Sequence, residues 1–134
     1  MTKFDWPIRV YYEDTDSGGV VYHANYLRFM ERARTEWLRQ LGFEQDVLRR
    51  DAGILFAVHS MQLNFRQPAR FNDQLFVRSA LHKMSGASMQ FVQQVFKDET
   101  QLCEAMVKVA CLNAETFRAC PIPDFILTEM QCEC

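Results

Sequence analysis

A chain of 134 residues carrying a net charge of −2 has room for one sizeable core and no global attraction for nucleic acid or an anionic membrane. Its composition, 49% hydrophobic and 24% charged, is that of an ordinary globular protein. No run of about 20 apolar residues offers a membrane span.

The opening M-T-K-F-D-W-P lacks the apolar centre of a signal peptide. Five cysteines, Cys103, Cys111, Cys120, Cys132 and Cys134, fall in the last third. Their odd number, without an export signal, points to reduced thiols in a cytoplasm. Cys132-x-Cys134 matches no metal-ligand spacing and reads as an incidental tail.

From Ile8 to Tyr12 apolar residues alternate, with Ile8, Val10 and Tyr12 on one face, which predicts a strand with Pro7 at its start. Then comes Y-E-D-T-D-S-G-G-V-V-Y-H-A-N-Y, residues 12–26. It gathers the acids Glu13, Asp14 and Asp16, a turn at Gly18 and Gly19, an apolar patch and His23, all just before a helix pattern. Glycine lets backbone approach a ligand or take positive φ, and a helix start offers unpaired N–H groups. An acid, a tight turn, a histidine and a helix N-terminus together suit a reaction at a carbonyl.

Leu27, Met30, Ala33, Trp37, Leu38 and Leu41 recur at helical steps and predict a helix from about His23 to Leu41, stopped by Gly42. Arg32 and Glu36, one turn apart, are placed to pair. A shorter helix is expected over Glu44–Arg50. Strands follow at Phe56–Arg66, Leu75–Met84, Met89–Phe96 and Leu102–Asn113, joined mostly by hairpin-length loops such as Ser85–Gly86 and Lys97–Thr100. The tail from about residue 118, with Pro121 and Pro123, is expected to be irregular. The whole predicts one α+β domain over 1–134, an antiparallel five-stranded sheet around one long helix. A single helix cannot cover both partly apolar faces of such a sheet, so a homo-oligomer is expected.

Two metal readings fail. Asp14-x-Asp16 opens like a calcium loop, but Gly18 stands where an oxygen ligand is wanted and Asn25 where a bidentate Glu is needed. Asp14, Asp16 and His23 lack the second histidine usual for a transition metal. No metal and no cofactor are expected.

Asp16, Gly19, Val20–Val21, Tyr22 and Tyr26 resemble the signature of the hotdog-fold acyl-CoA thioesterases, in the 4-hydroxybenzoyl-CoA thioesterase branch. The run V-Y-Y-E-D-T-D, the turn with Ser17, V-V-Y-H and E-R-A-R-T-E at Glu31–Glu36 are similar to the small thioesterases associated with the Tol–Pal envelope system. The resemblance implies a hotdog fold, an acyl-CoA substrate, a tetramer built from dimers, and a cytoplasmic location that leaves open a peripheral position at the inner membrane.

It also implies roles. Asp16 would be the catalytic carboxylate, as nucleophile or general base, with His23 assisting. Backbone N–H groups at Tyr22 and His23 would hold the oxyanion. Tyr12, Tyr22 and Tyr26 would shape the acyl pocket, and Arg70, Lys83, Ser85 and Gly86 would meet the coenzyme A phosphates. Two other classes stand beside this one. A hotdog hydroxyacyl-thioester dehydratase would need a helix-borne acid, for which Glu31 and Glu36 are the candidates. A non-catalytic scaffold would bind acyl carrier protein through the helix arginines.

Overall fold

The computed structural model of the chain describes residues 3–132; Cys134 and the side chain of Cys132 lie outside the described part. The elements run β1 (Lys3–Arg9), a 3₁₀ turn (Tyr12–Asp14), α1 (Asn25–Gln40), α2 (Gln45–Val47) continuing into a π turn (Leu48–Ala52), β2 (Ile54–Phe65), β3 (Gln74–Ser85), β4 (Ser88–Lys97), β5 (Thr100–Asn113) and α3 (Asp124–Cys132). The five strands form one sheet in the order β1-β3-β4-β5-β2, every neighbouring pair antiparallel. This is the expected α+β hotdog arrangement of sheet and helix.

One strand sits where hairpin logic would not put it. β2 pairs with β5 at the far edge rather than with β3. The segment 66–73 between them is long enough to cross: the Arg66 and Gln67 amides donate to Leu102 O (2.8 and 3.1 Å), and the Val10 amide donates to Asp73 O (2.9 Å). β1 begins at Lys3, not Ile8, so Pro7 lies inside the strand. A residue without an N–H is tolerated there because β1 is an edge.

α1 lies against β1 and β3 and buries Tyr26, Phe29, Met30, Ala33, Trp37 and Leu38. Its buried stripe is rotated from the expected one: Leu27 is exposed, while Phe29 is fully buried. Glu36 pairs with Arg39 rather than Arg32, and Arg39 also meets Glu44 at 3.1 Å. Gly53, with φ +68, ends the π turn in the left-handed conformation.

The tail is ordered, against expectation. Pro123 stands just before α3, where a fixed φ suits a helix start, and Asp124 occupies the first turn. Ile122, Ile126 and Met130, four residues apart, are all buried in the core. Phe125 packs on Phe43 in a tilted arrangement with centroids 5.8 Å apart. The Ile122 amide donates to Gly86 O (3.0 Å), so the tail closes over the β3–β4 hairpin.

Candidate active site

Three segments meet at one end of the sheet: the turns of residues 10–24, the loop 66–73 and the first turn of α1. Val20 bridges Arg70, and the Val21 amide donates to Ala69 O at 2.8 Å. The Ala69 amide in turn donates to the hydroxyl of Tyr26 (3.0 Å). Tyr26 is buried, and that burial pushes its phenol up against the opposing pull of the Ala69 amide. These contacts fix loop and turn against the helix.

Asp16 sits on a tight hairpin. Its amide donates to Val20 O (2.9 Å), and the Gly19 amide donates to Asp16 O (3.0 Å). Its carboxylate Oδ1 accepts from the Gly18 amide at 2.8 Å. A side chain at position 18 would put a Cβ 3.2 Å from that oxygen, and Gly19 has φ +80. Gly18 thus lets the turn sit close against the carboxylate, and Gly19 takes the left-handed turn that other residues rarely adopt. The exposed Asp16 faces a cavity of about 470 Å³ lined by Tyr12, Thr15, Asp16, Ser17, Gly19 and Phe71.

Asp14 is a strut in the 3₁₀ turn of residues 12–14. Its Oδ2 accepts from the Tyr11 amide (2.9 Å). Its carbonyl accepts from both the Tyr22 amide (2.9 Å) and Asn25 Nδ2 (2.9 Å). The Tyr22 amide is thus already engaged and is not a free oxyanion donor. Among the described residues the His23 amide makes no hydrogen bond. Of the two expected backbone donors, His23 is the one left.

The side chain of His23 borders a separate cavity of about 240 Å³ with Val21, Tyr26 and Phe65. Its ring packs on Tyr22, with centroids 4.4 Å apart, and meets Phe65 edge-on at 6.5 Å. No hydrogen bond joins it to Asp16 among the described residues. The three tyrosines do not form one pocket: Tyr12 stands by Asp16, Tyr26 by His23, and Tyr22 lines neither cavity.

Arg70 lies beside the Asp16 turn through its bridge to Val20. Lys83, Ser85 and Gly86 lie at the far end of β3, a twelve-residue strand on the order of 35–40 Å long. Within one chain these four do not form a single phosphate site. Glu36 is tied to Arg39, and Glu31 borders a different cavity from that of Asp16. Among the described residues no group of three or more His, Cys, Asp or Glu side chains is placed to hold a metal.

Two aromatic residues that the sequence places on a strand and in a turn, Phe65 and Phe71, also belong to the site. Phe71 meets Tyr12 edge-on at 5.9 Å and walls the Asp16 cavity. Phe65 packs on both His23 and Tyr26. Both are more than half exposed, and a bare Phe inside the polar turn F-N-D was the available signal.

Comparison with known proteins adds a family to this geometry. Residues 10–130 match the family described as the thioesterase-like superfamily. The chain is 43% identical over 131 residues to the acyl-CoA thioester hydrolase YbgC of Escherichia coli O6:H1, covering 97% of each chain. It is 42% identical over 120 residues to the acyl-CoA thioesterase YbgC of Haemophilus influenzae, covering 90% of this chain and 88% of that one. A probable thioesterase from Bartonella henselae superposes with a TM-score of 0.85 at 36% identity, over 90% of this chain and 99% of the other.

Proposed function

The chain belongs to the thioesterase-like superfamily, and from that premise we propose that it hydrolyses acyl-CoA to the free acid and coenzyme A, with Asp16 as the carboxylate that acts. One observation carries this reading. In a chain 43% identical to an acyl-CoA thioester hydrolase along 97% of both lengths, Asp16 stands on a glycine-fixed turn facing an open cavity.

The chemistry suits a carboxylate. A thioester is a reactive acyl donor and its thiolate leaves readily, so no strong base is needed. As a base, Asp16 takes a proton from water attacking the carbonyl. As a nucleophile, it forms an anhydride that water then opens. Both routes release thiol and acid, the proton taken from water going to the thiolate, and leave the carboxylate restored. Charge gathering on the carbonyl oxygen needs a donor, and of the Tyr22 and His23 amides the latter is the one without a hydrogen bond among the described residues. Tyr12 and Phe71 supply apolar walls beside Asp16. Arg70, bridged to Val20, is the basic group best placed to meet a phosphate of coenzyme A.

The finer expectations follow the likeness to the Tol–Pal-associated enzymes: a cytoplasmic homotetramer acting without a metal or cofactor. Hydrolysis is tested by thiol release from acyl-CoA esters of graded length, with aromatic esters included. Turnover of at least one ester by the chelated protein is expected. Failure on the whole panel would overturn the reading.

A further inference from the structure

Cys111 on β5 and Cys120 on the tail segment that leads into α3 face each other across a short antiparallel pairing. Leu112 bridges Ala119. The Cys120 amide donates to Cys111 O (2.9 Å) and the Asn113 amide to Arg118 O (2.9 Å). The two sulfurs lie 3.7 Å apart, and both residues are thiols. Opposed residues of an antiparallel pair stand about 4.5–5.5 Å apart at Cα, inside the span of about 4.4–6.8 Å that a disulfide bridges. Bringing the sulfurs to a bond of about 2.05 Å therefore takes side-chain rotation rather than backbone movement.

The two thiols differ in access. Cys111 is fully buried, whereas Cys120 is half-buried between the exposed Ala119 and Pro121. A reagent too large to enter the core therefore meets Cys120 first. Burial pushes the Cys111 thiol up to about 12, and its neighbour Cys120 adds to that rise through a hydrogen bond and through charge. Once Cys120 is in a disulfide it can no longer become a thiolate, so its charge stops opposing that of Cys111.

We propose that Cys111 and Cys120 are a reversible dithiol–disulfide pair, closed by exchange with a low-molecular-weight disulfide that enters at Cys120. The Cys120 thiolate attacks one sulfur of the small disulfide; the first small thiolate leaves and takes up the proton that Cys120 lost. Cys111 then gives up its proton and attacks the Cys120 sulfur, and the second small thiolate leaves with that proton. Two protein thiols are oxidised, one small disulfide is reduced to two thiols, and no other reactant is needed. With small thiol in excess the pair stays open, and a rise in the disulfide closes it. The closed pair staples the tail to β5 at the end of the sheet where Ile122 meets Gly86. Neither cysteine lines the Asp16 cavity, so the pair goes beyond the hydrolytic reading and does not depend on it.

The test treats the folded, reduced chain with millimolar glutathione disulfide at pH 8 and then blocks remaining thiols with N-ethylmaleimide. Digestion with trypsin and Glu-C puts each of the five cysteines on its own peptide for mass spectrometry. The expected product is a disulfide joining the Cys111 and Cys120 peptides, with a rise in Tm of about 5 °C or more, both undone by dithiothreitol. Cys111→Ala should halt at a glutathione adduct on Cys120, and Cys120→Ser should leave Cys111 unreacted. If a variant does not fold, the digest of the parent chain decides alone. The proposal is overturned if both thiols of the parent stay unreacted, if the adduct on Cys120 never passes to Cys111, or if Cys120 links to another cysteine instead. It is equally overturned if the link forms only in urea or lowers Tm, because the folded geometry then does not accept the bond.

Discussion

Single residues decide whether the carboxylate reading holds. Asp16→Asn keeps size and the acceptor for Gly18 but removes the charge. The expected result is a fall in kcat of roughly 10²–10⁴-fold with little change in KM, measured by thiol release. Asp14, two residues away, carries the same charge, but its carboxylate and carbonyl brace the turn. Asp14→Ala is therefore expected to lower stability by about 1 kcal/mol in urea melts, with activity changing through the turn. The motif made Asp16, Gly18 and Gly19 legible, because close approach and positive φ leave few residue choices. The brace was not legible, because the hydrogen bonds that Asp14 O accepts from the Tyr22 amide and Asn25 Nδ2 depend on a 3₁₀ turn that alternation hid. Asp73 offers a pH test. Burial pushes its carboxyl up, but the Arg70 amide and the Lys97 ammonium at 3.0 Å outweigh this and hold it below the usual carboxylate value. A lowered folded value contributes stability above the unfolded one, near 3.9, that is lost as pH falls through the folded one. Asp73→Asn should cost at most about 1 kcal/mol at pH 7, and that difference should close below about pH 4, read from urea midpoints across pH.

At the scale of elements, the hydrophobic period located α1 and the strands β2 to β5 within a few residues, because each buries one face against the other. The period failed at both ends. β1 was expected at Ile8–Tyr12 but runs Lys3–Arg9, because Pro7 read as a start although an edge strand holds it internally. α3 was missed because two prolines outweighed Ile126 and Met130, whose four-residue spacing marks one helical face. The burial of that face gives a measurable consequence. Ile126 is fully buried, so Ile126→Ala should cost about 2–5 kcal/mol in urea denaturation through lost transfer energy and the cavity left behind. An irregular, solvated tail would show no such loss. The same closure covers Cys111, whose Sγ lies 3.7 Å from Cys120 Sγ. Burial pushes the thiols of Cys103 and Cys111 up to about 12, so in the folded protein neither should be alkylated by iodoacetamide at pH 8, as mass spectrometry would read.

For the whole molecule, the open question is what covers the sheet's free edges. Strand order leaves two, β1 and β2. β1 carries Pro7, and the Asp5 carboxylate on it is held by Arg78 across to β3, so that edge is blunted within the chain. β2 has twelve residues, no proline, and an exposed Val58 and Phe65. A long bare edge of this kind pairs with another chain unless something prevents it. The simplest pairing is β2 with β2 of a second copy around a two-fold axis, which joins the two sheets and satisfies the same groups on both partners. This gives the oligomer expected from the sheet's two apolar faces a definite contact. Light scattering at micromolar concentration should give a dimer or a multiple of one. Val58→Lys places a charge on the strand where a monomer tolerates it, because that side chain is already 48% exposed. In a paired edge the same change sets like charges near each other across the axis, so the variant should dissociate at concentrations where the parent chain does not. A parent chain that scatters as a monomer, or a Val58→Lys variant as associated as its parent, would remove β2 as the contact.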